Sequence, residues 1–141
     1  MSEDTSLEEI TFKEITTENN LFCQFEESQG VLFLDVNEPF TESDFEAISG
    51  IIDPFFSTYG ELQGIIINCK KFPYWKGAKN RTQYLNFAGD NHHKFKKAAL
   101  SMGGFFIKVV LIAAKNRVHP KIKTFKFNKI EEAQRWVLHS K

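Results

Sequence analysis

The chain has 141 residues, 42% apolar and 14% aromatic with fifteen phenylalanines, which is one domain of ordinary size with ample material for a core. Lysine plus arginine at 18 balance aspartate plus glutamate at 18. No global field therefore draws the protein to nucleic acid or to an anionic membrane, and no nucleic-acid partner is expected. The longest apolar run, residues 105–114, is about half a bilayer-spanning length and is broken by Lys108, so no transmembrane segment is expected. The start, Met1-Ser2-Glu3-Asp4, is acidic rather than basic and then apolar, so a cytoplasmic location is expected. The sequon Asn80-Arg81-Thr82 then carries no meaning.

In chain order, residues 1–20 form an acidic arm whose apolar members are Leu7, Ile10, Phe12 and Ile15, with order expected to begin near Phe12. Residues 21–27 alternate and residues 31–36 are densely apolar. Between them, Glu27-Ser28-Gln29-Gly30 is a hairpin turn in which the glycine supplies positive φ. Thr41-Glu42-Ser43-Asp44 resembles a capping box, with Asp44 where glutamate or glutamine is usual. Phe45, Ile48, Ile52, Phe55 and Tyr59 follow at helical steps on one face. Pro54 lies nearly opposite Phe45, where it bends the helix rather than breaks it, and Gly60 is the C-cap.

Gly64-Ile65-Ile66-Ile67-Asn68 reads as a short strand buried on both faces, at home in the centre of a mostly parallel sheet. After it comes the aromatic and basic loop Lys71-Phe72-Pro73-Tyr74-Trp75-Lys76-Gly77, where open α/β sheets bind their ligands. Residues 78–93 are predicted helical, with Leu85, Ala88, His92 and Phe95 on one stripe. A lysine-rich turn, Lys94, Lys96 and Lys97, leads into a strand over residues 97–101, and Gly103-Gly104 follows. Residues 105–116 are rich in strand formers, but their length and their Ala113-Ala114-Lys115-Asn116 ending predict a helix. Residues 121–127 are the last strand, and Asn128 is predicted to cap a final helix over 129–139, with Ile130, Ala133, Trp136 and Val137 inward.

The expected order is ββαβαβαβα: an α/β domain over residues 21–141, with a mixed, mostly parallel five-stranded sheet and helices packed on it. The sequence resembles the SpoIIAA-like proteins, relatives of the anti-sigma-factor-antagonist (STAS) domains. The resemblance rests on residues 64–68 with Phe72 and Trp75, and on Leu85-Asn86-Phe87 leading to His93-Lys94-Phe95-Lys96-Lys97-Ala98-Ala99-Leu100. It continues through Lys123-Thr124-Phe125 and Glu131-Glu132-Ala133-Gln134-Arg135-Trp136-Val137. It implies a bacterial, cytoplasmic regulatory domain with a fold shared, more distantly, with the lipid-exchange domains called CRAL-TRIO. STAS antagonists are switched by phosphorylation of a serine in an aspartate-serine-(serine/alanine)-glycine motif after a central strand. The corresponding stretch here, Asn68-Cys69-Lys70-Lys71-Phe72-Pro73, has no serine or threonine, so the phospho-switch does not carry over.

Cys23 and Cys69 lie in strand patterns without metal spacing and read as buried, reduced, inert thiols. His92 and His93 diverge on a helix, and His119 and His139 stand alone; no H-E-x-x-H or G-x-S-x-G motif is present. No catalytic residue, metal or cofactor is assigned, and Asp35 and Asp53 are the carboxylates with apolar neighbours. The candidate binding residues are Lys71, Tyr74, Trp75, Lys76, Ser101, Gly103 and Gly104. There the two ring-bearing side chains serve as a lid on the sheet or as anchors for a partner. Two functions are consistent with this pattern: a non-catalytic protein-interaction or regulatory module, and a carrier of a small apolar or lipid-like ligand. A filled core with an exposed aromatic rim favours the first, and a deep apolar cavity the second.

Overall fold

The computed structural model describes residues 12–38, 40–70, 90–102 and 120–139. Its sheet has six strands in sequential order: β1 (Phe12–Thr16), β2 (Phe22–Glu26), β3 (Val31–Val36), β4 (Leu62–Cys69), β5 (Phe95–Met102) and β6 (Lys121–Phe125). The first three strands pair antiparallel and the last four parallel, so the sheet is mixed with β4 inside its parallel half. The strand beyond the expected five is β1, drawn from the stretch read as an arm. Its residues 13–16 are all exposed, so it carries no buried alternation, and it is held by pairing with β2 through Ile15↔Cys23.

Among the described residues, two α-helices of more than two turns lie on opposite faces of the sheet. The first, α1 (Glu42–Tyr59), starts at a complete capping box: the Thr41 hydroxyl accepts from the Asp44 N–H, and the Asp44 carboxylate accepts from the Thr41 N–H. It runs through Pro54, which is exposed as expected, and ends at Gly60 with φ 86°. Ile48 and Ile52 are fully buried and Phe45 and Phe55 partly so. Tyr59, placed on the same inward stripe, is instead 69% exposed, and its ring leans on Phe55 at 4.9 Å, one turn earlier. The second helix, α2 (Ile130–His139), buries Ala133 and Val137.

Strand β4 is covered on both sides. From Gly64 onward, Ile65, Ile67 and Cys69 join the cluster under α1, while Ile66 joins Val31, Ala99, Ala133 and Val137 under α2. A Cβ built on Gly64 would stand 2.6 Å from Val137 Cγ1 and 3.0 Å from the Lys97 carbonyl oxygen, so the glycine permits the close approach of α2. Gly30 has the expected positive φ, 67°, in the β2–β3 turn.

Three boundaries differ from expectation. Phe95, read as the end of a helical stripe, begins β5 opposite Leu62, and the preceding His92–Lys94 is a 3₁₀ turn. Phe127 lies in a turn beyond β6 rather than in the strand. Asn128 does not cap α2: it has φ 68°, its side chain is held by Asn68, and the helix opens with the Lys129 carbonyl accepting from the Ala133 N–H. Of the helix expected over residues 78–93, residues 78–89 lie outside the described residues, as does the whole of the helix expected over 105–116.

Candidate functional site

The parallel register brings the carboxyl ends of three strands into line, with Val36 beside Cys69 and Cys69 beside Met102. One position earlier, each strand carries a polar residue, and the same register aligns them as Asp35↔Asn68↔Ser101. A polar row at the end of apolar strands is costly unless every group is satisfied. Here Asn68, buried, donates through Nδ2 to Asp35 Oδ1 and to Asn128 Oδ1, both at 3.1 Å, and its Oδ1 accepts from the Asn128 N–H at 3.1 Å. Ser101, 0% exposed, donates from Oγ to the Lys126 carbonyl at 2.6 Å. The row thus pins the turn that leads into α2.

Of the candidate binding residues, Ser101 therefore holds that turn from beneath the edge. Lys71, Tyr74, Trp75, Lys76, Gly103 and Gly104 lie outside the described residues. The segments that bear them depart from Lys70 and Met102, the ends of adjacent strands, and Lys70 is exposed while Cys69 before it is buried.

Buried polar groups elsewhere also have structural employment. Asp44, 0% exposed, is buried although its sequence neighbours Ser43 and Glu42 are polar. It accepts from Thr17 Oγ1 at 2.6 Å, from Asn19 Nδ2 at 2.8 Å and from the Thr41 N–H at 2.9 Å, joining the β1–β2 turn to the start of α1. Lys97, read as part of a solvated turn, is 6% exposed. Its ammonium donates to the Trp136 carbonyl at 3.0 Å and lies 5.2 Å from the centre of the Trp136 ring. Burial, and secondarily the charge of Lys121, lower its pKa from the ordinary lysine value. Lys94, in contrast, bridges to Asp53 at 2.8 Å on the surface.

Both cysteines are free and buried. Burial, with a smaller contribution from Asp44, raises the Cys23 thiol to about 11, away from the thiolate that nucleophilic or metal chemistry requires. Rings of His92 and His93 meet edge to face at 6.0 Å, and His93 packs in the same way on Phe56. Among the described residues, no three His, Cys, Asp or Glu side chains gather as a metal site.

A cavity of about 140 Å³ lies between α1 and the sheet, lined by apolar residues including Phe45, Ile48, Ile65 and Phe95, with Asn91 and His92 also on its wall. Cavities near 150 Å³ hold a benzene-sized molecule, whereas pockets for drug-sized ligands measure roughly 300–1,000 Å³. No described helix is long and apolar enough to cross a membrane.

The polar row had a signal in the sequence. Asp35, Asn68 and Ser101 each stand one residue before the end of an apolar strand, a coincidence that becomes a row only once the register is known.

No family model matches the sequence. No curated protein matches it either. Among solved structures, an uncharacterised DUF3478-family protein from Shewanella loihica PV-4 with a SpoIIAA-like fold superposes with a TM-score of 0.56 at 13% identity, over 91% of this chain and 93% of that one. Pseudomonas putida nuclease MPE superposes with a TM-score of 0.42 at 11% identity, over 81% of this chain and 60% of that one. The first likeness shows that the chain has the SpoIIAA-like fold.

Proposed function

We propose that the protein is a non-catalytic interaction or regulatory module, working without a phospho-serine switch through the loops at the carboxyl edge of its parallel strands. The observation that carries this reading is the register Val36↔Cys69↔Met102, from which two candidate-bearing loops leave the sheet side by side. Open α/β sheets bind at such edges. Tyr74 and Trp75 supply flat apolar contact to a protein partner, Lys71 and Lys76 steer its approach, and the Gly103 and Gly104 amides offer donors to an anionic group. Asn68 and Ser101 support the edge from below.

The alternative, a carrier of a small apolar or lipid-like ligand, draws on the cavity under α1. At about 140 Å³ that cavity is too small for a lipid chain, which ranks the carrier second. Native mass spectrometry of freshly purified protein tests both. Retention of a protein partner by the parent, lost in Trp75→Ala with an unchanged melting temperature, is the expected result; the substitution should weaken binding by about 2 kcal/mol or more. A retained small apolar molecule, or a Trp75→Ala protein that loses stability yet binds normally, overturns the proposal.

A further inference from the structure

Strand β6 ends the described sheet, and among the described residues nothing pairs with its outer edge. Its odd-numbered residues face α2: Phe125 packs on Trp136 with ring centres 6.1 Å apart, and the Lys123 ammonium sits 5.4 Å from the Phe125 ring. Between strand and helix runs an open groove of about 370 Å³, lined by Lys123, Phe125, Glu132, Arg135, Trp136 and His139. Lys121, Lys123 and Arg135 are exposed and have no carboxylate partner among the described residues. Glu132 lies 4.0 Å from Lys129.

We propose that the outer edge of β6 and the groove beside it dock an extended acidic segment of a partner protein, which adds as a further strand and lays an apolar side chain against Phe125 and Trp136. The proposal does not depend on the role of the loops after β4 and β5. Three features favour this occupant. Unpaired backbone groups of an edge strand are a template for another strand. Lysines at 121 and 123 repel a second copy of β6, because like charges would stand opposite each other, whereas carboxylates at alternate positions of an added strand would complement them. The spacing fits, since alternate side chains recur about 6.6 Å apart in any extended chain. Burial first, and the charge of Lys121 second, lower the Lys97 pKa, so the two ammoniums repel across the strand pair and a carboxylate beside Lys121 offsets that repulsion. A nucleic acid is the weaker fit: the chain is net neutral and a phosphate backbone leaves the strand edge unpaired.

The test titrates ¹⁵N-labelled protein with a blocked heptapeptide, Phe-Thr-Glu-Thr-Glu-Thr-Phe, whose alternate positions put two carboxylates and a ring on one face in either strand direction, with its counterpart carrying lysine in place of glutamate, and with an oligothymidylate. The acidic peptide should shift the amides of residues 121–125 and of α2 saturably. Its binding should weaken at about 0.5 M salt, where screening acts within roughly 4 Å. The double variant Lys121→Glu/Lys123→Glu, altering two exposed side chains, should lose at least about tenfold in affinity while its remaining spectrum stays in place, and should gain the lysine peptide. The proposal is overturned if the acidic peptide leaves β6 unshifted, if the lysine peptide binds the parent equally, or if oligothymidylate moves the same amides at equal concentration.

Discussion

Replacing Asp44 by alanine should be among the most damaging single changes outside the apolar core. Its carboxylate receives three hydrogen bonds, from Thr17, Asn19 and the Thr41 N–H, at 2.6–2.9 Å, and is wholly buried. Hydrogen bonds to a charged group contribute about 1.5–3 kcal/mol each, and an acid in the first turn also complements the helix dipole. Thr17 and Asn19 are only half-buried, so water recovers part of the loss when the carboxylate goes. A net cost of about 3–4 kcal/mol is expected, and for a chain of 141 residues the unfolding entropy of about 0.3 kcal/mol/K converts it to roughly 10 °C in melting temperature. Asp44→Asn should cost about 1–1.5 kcal/mol. The amide oxygen keeps the Oδ2 bonds, and the Thr17 hydroxyl can turn to accept from the new N–H while still accepting from the Leu21 N–H. Urea denaturation with both variants and with Thr17→Val gives the coupling directly, and Thr17→Val/Asp44→Ala should show an interaction of at least about 0.5 kcal/mol. Strict additivity, or an alanine variant within about 1 kcal/mol of the parent, would refute the claim that this network ties β1–β2 to α1.

Gly64→Ala should cost about 1–3 kcal/mol, because its Cβ meets Val137 Cγ1 at 2.6 Å, and Val137→Ala should restore part of that in the double variant; a neutral Gly64→Ala would mean α2 shifts freely. Ile66→Asp, which buries a carboxylate between Val31, Ala99 and Val137, should unfold the domain, and a protein melting within a few degrees of the parent would contradict the double coverage of β4. Native Cys23 and Cys69 should label far more slowly with a thiol reagent than in urea. Because the folded Cys23 pKa is raised to about 11 from 9.0, the unfolded chain loses its proton first, so the stability of the parent relative to Cys23→Ala, a difference in which the opposite contribution of Lys97 cancels, should begin to fall near pH 9 and level off above pH 11, by about 2–3 kcal/mol in all; a difference flat over that range would show the thiol to be solvated.

Elements with local signals were legible in the sequence. The turn glycine, the capping box, the helical stripe from Phe45 to Phe55 and the run at residues 64–67 each encode their structure within a few neighbours and stand where expected, whereas Tyr59 at the end of the stripe is exposed. Strand β1 was not legible, since an edge strand exposed at residues 13–16 has no face to mark with alternation. The burial of Asp44 and of Lys97 is illegible for a different reason. Their burial depends on groups 25–27 and 39 residues away, Asn19 and Thr17 in one case and Trp136 in the other, and no local pattern reports such partners. Asn128 looked like a cap because its type suits that position, but Asn68, 60 residues earlier, claims its side chain.

The long-range polar contacts on the α2 face share one purpose, which bears on both proposed surfaces. At the amino end of α2, Asn68 and Ser101 hold the turn at Lys126 and Asn128. At the carboxyl end, Gln63 donates to the Val137 carbonyl at 2.7 Å and Lys97 to that of Trp136 at 3.0 Å, satisfying acceptors that a helix terminus leaves without internal partners. The ammonium also complements the negative end of the helix dipole, which favours keeping a lysine in a position where desolvation disfavours its charge. The helix is therefore clamped to β4 and β5 at both ends, with Gly64 allowing close contact between the clamps. A helix so held keeps Trp136 fixed against Phe125, so the groove beside β6 is formed before any segment arrives, and less ordering has to accompany binding there.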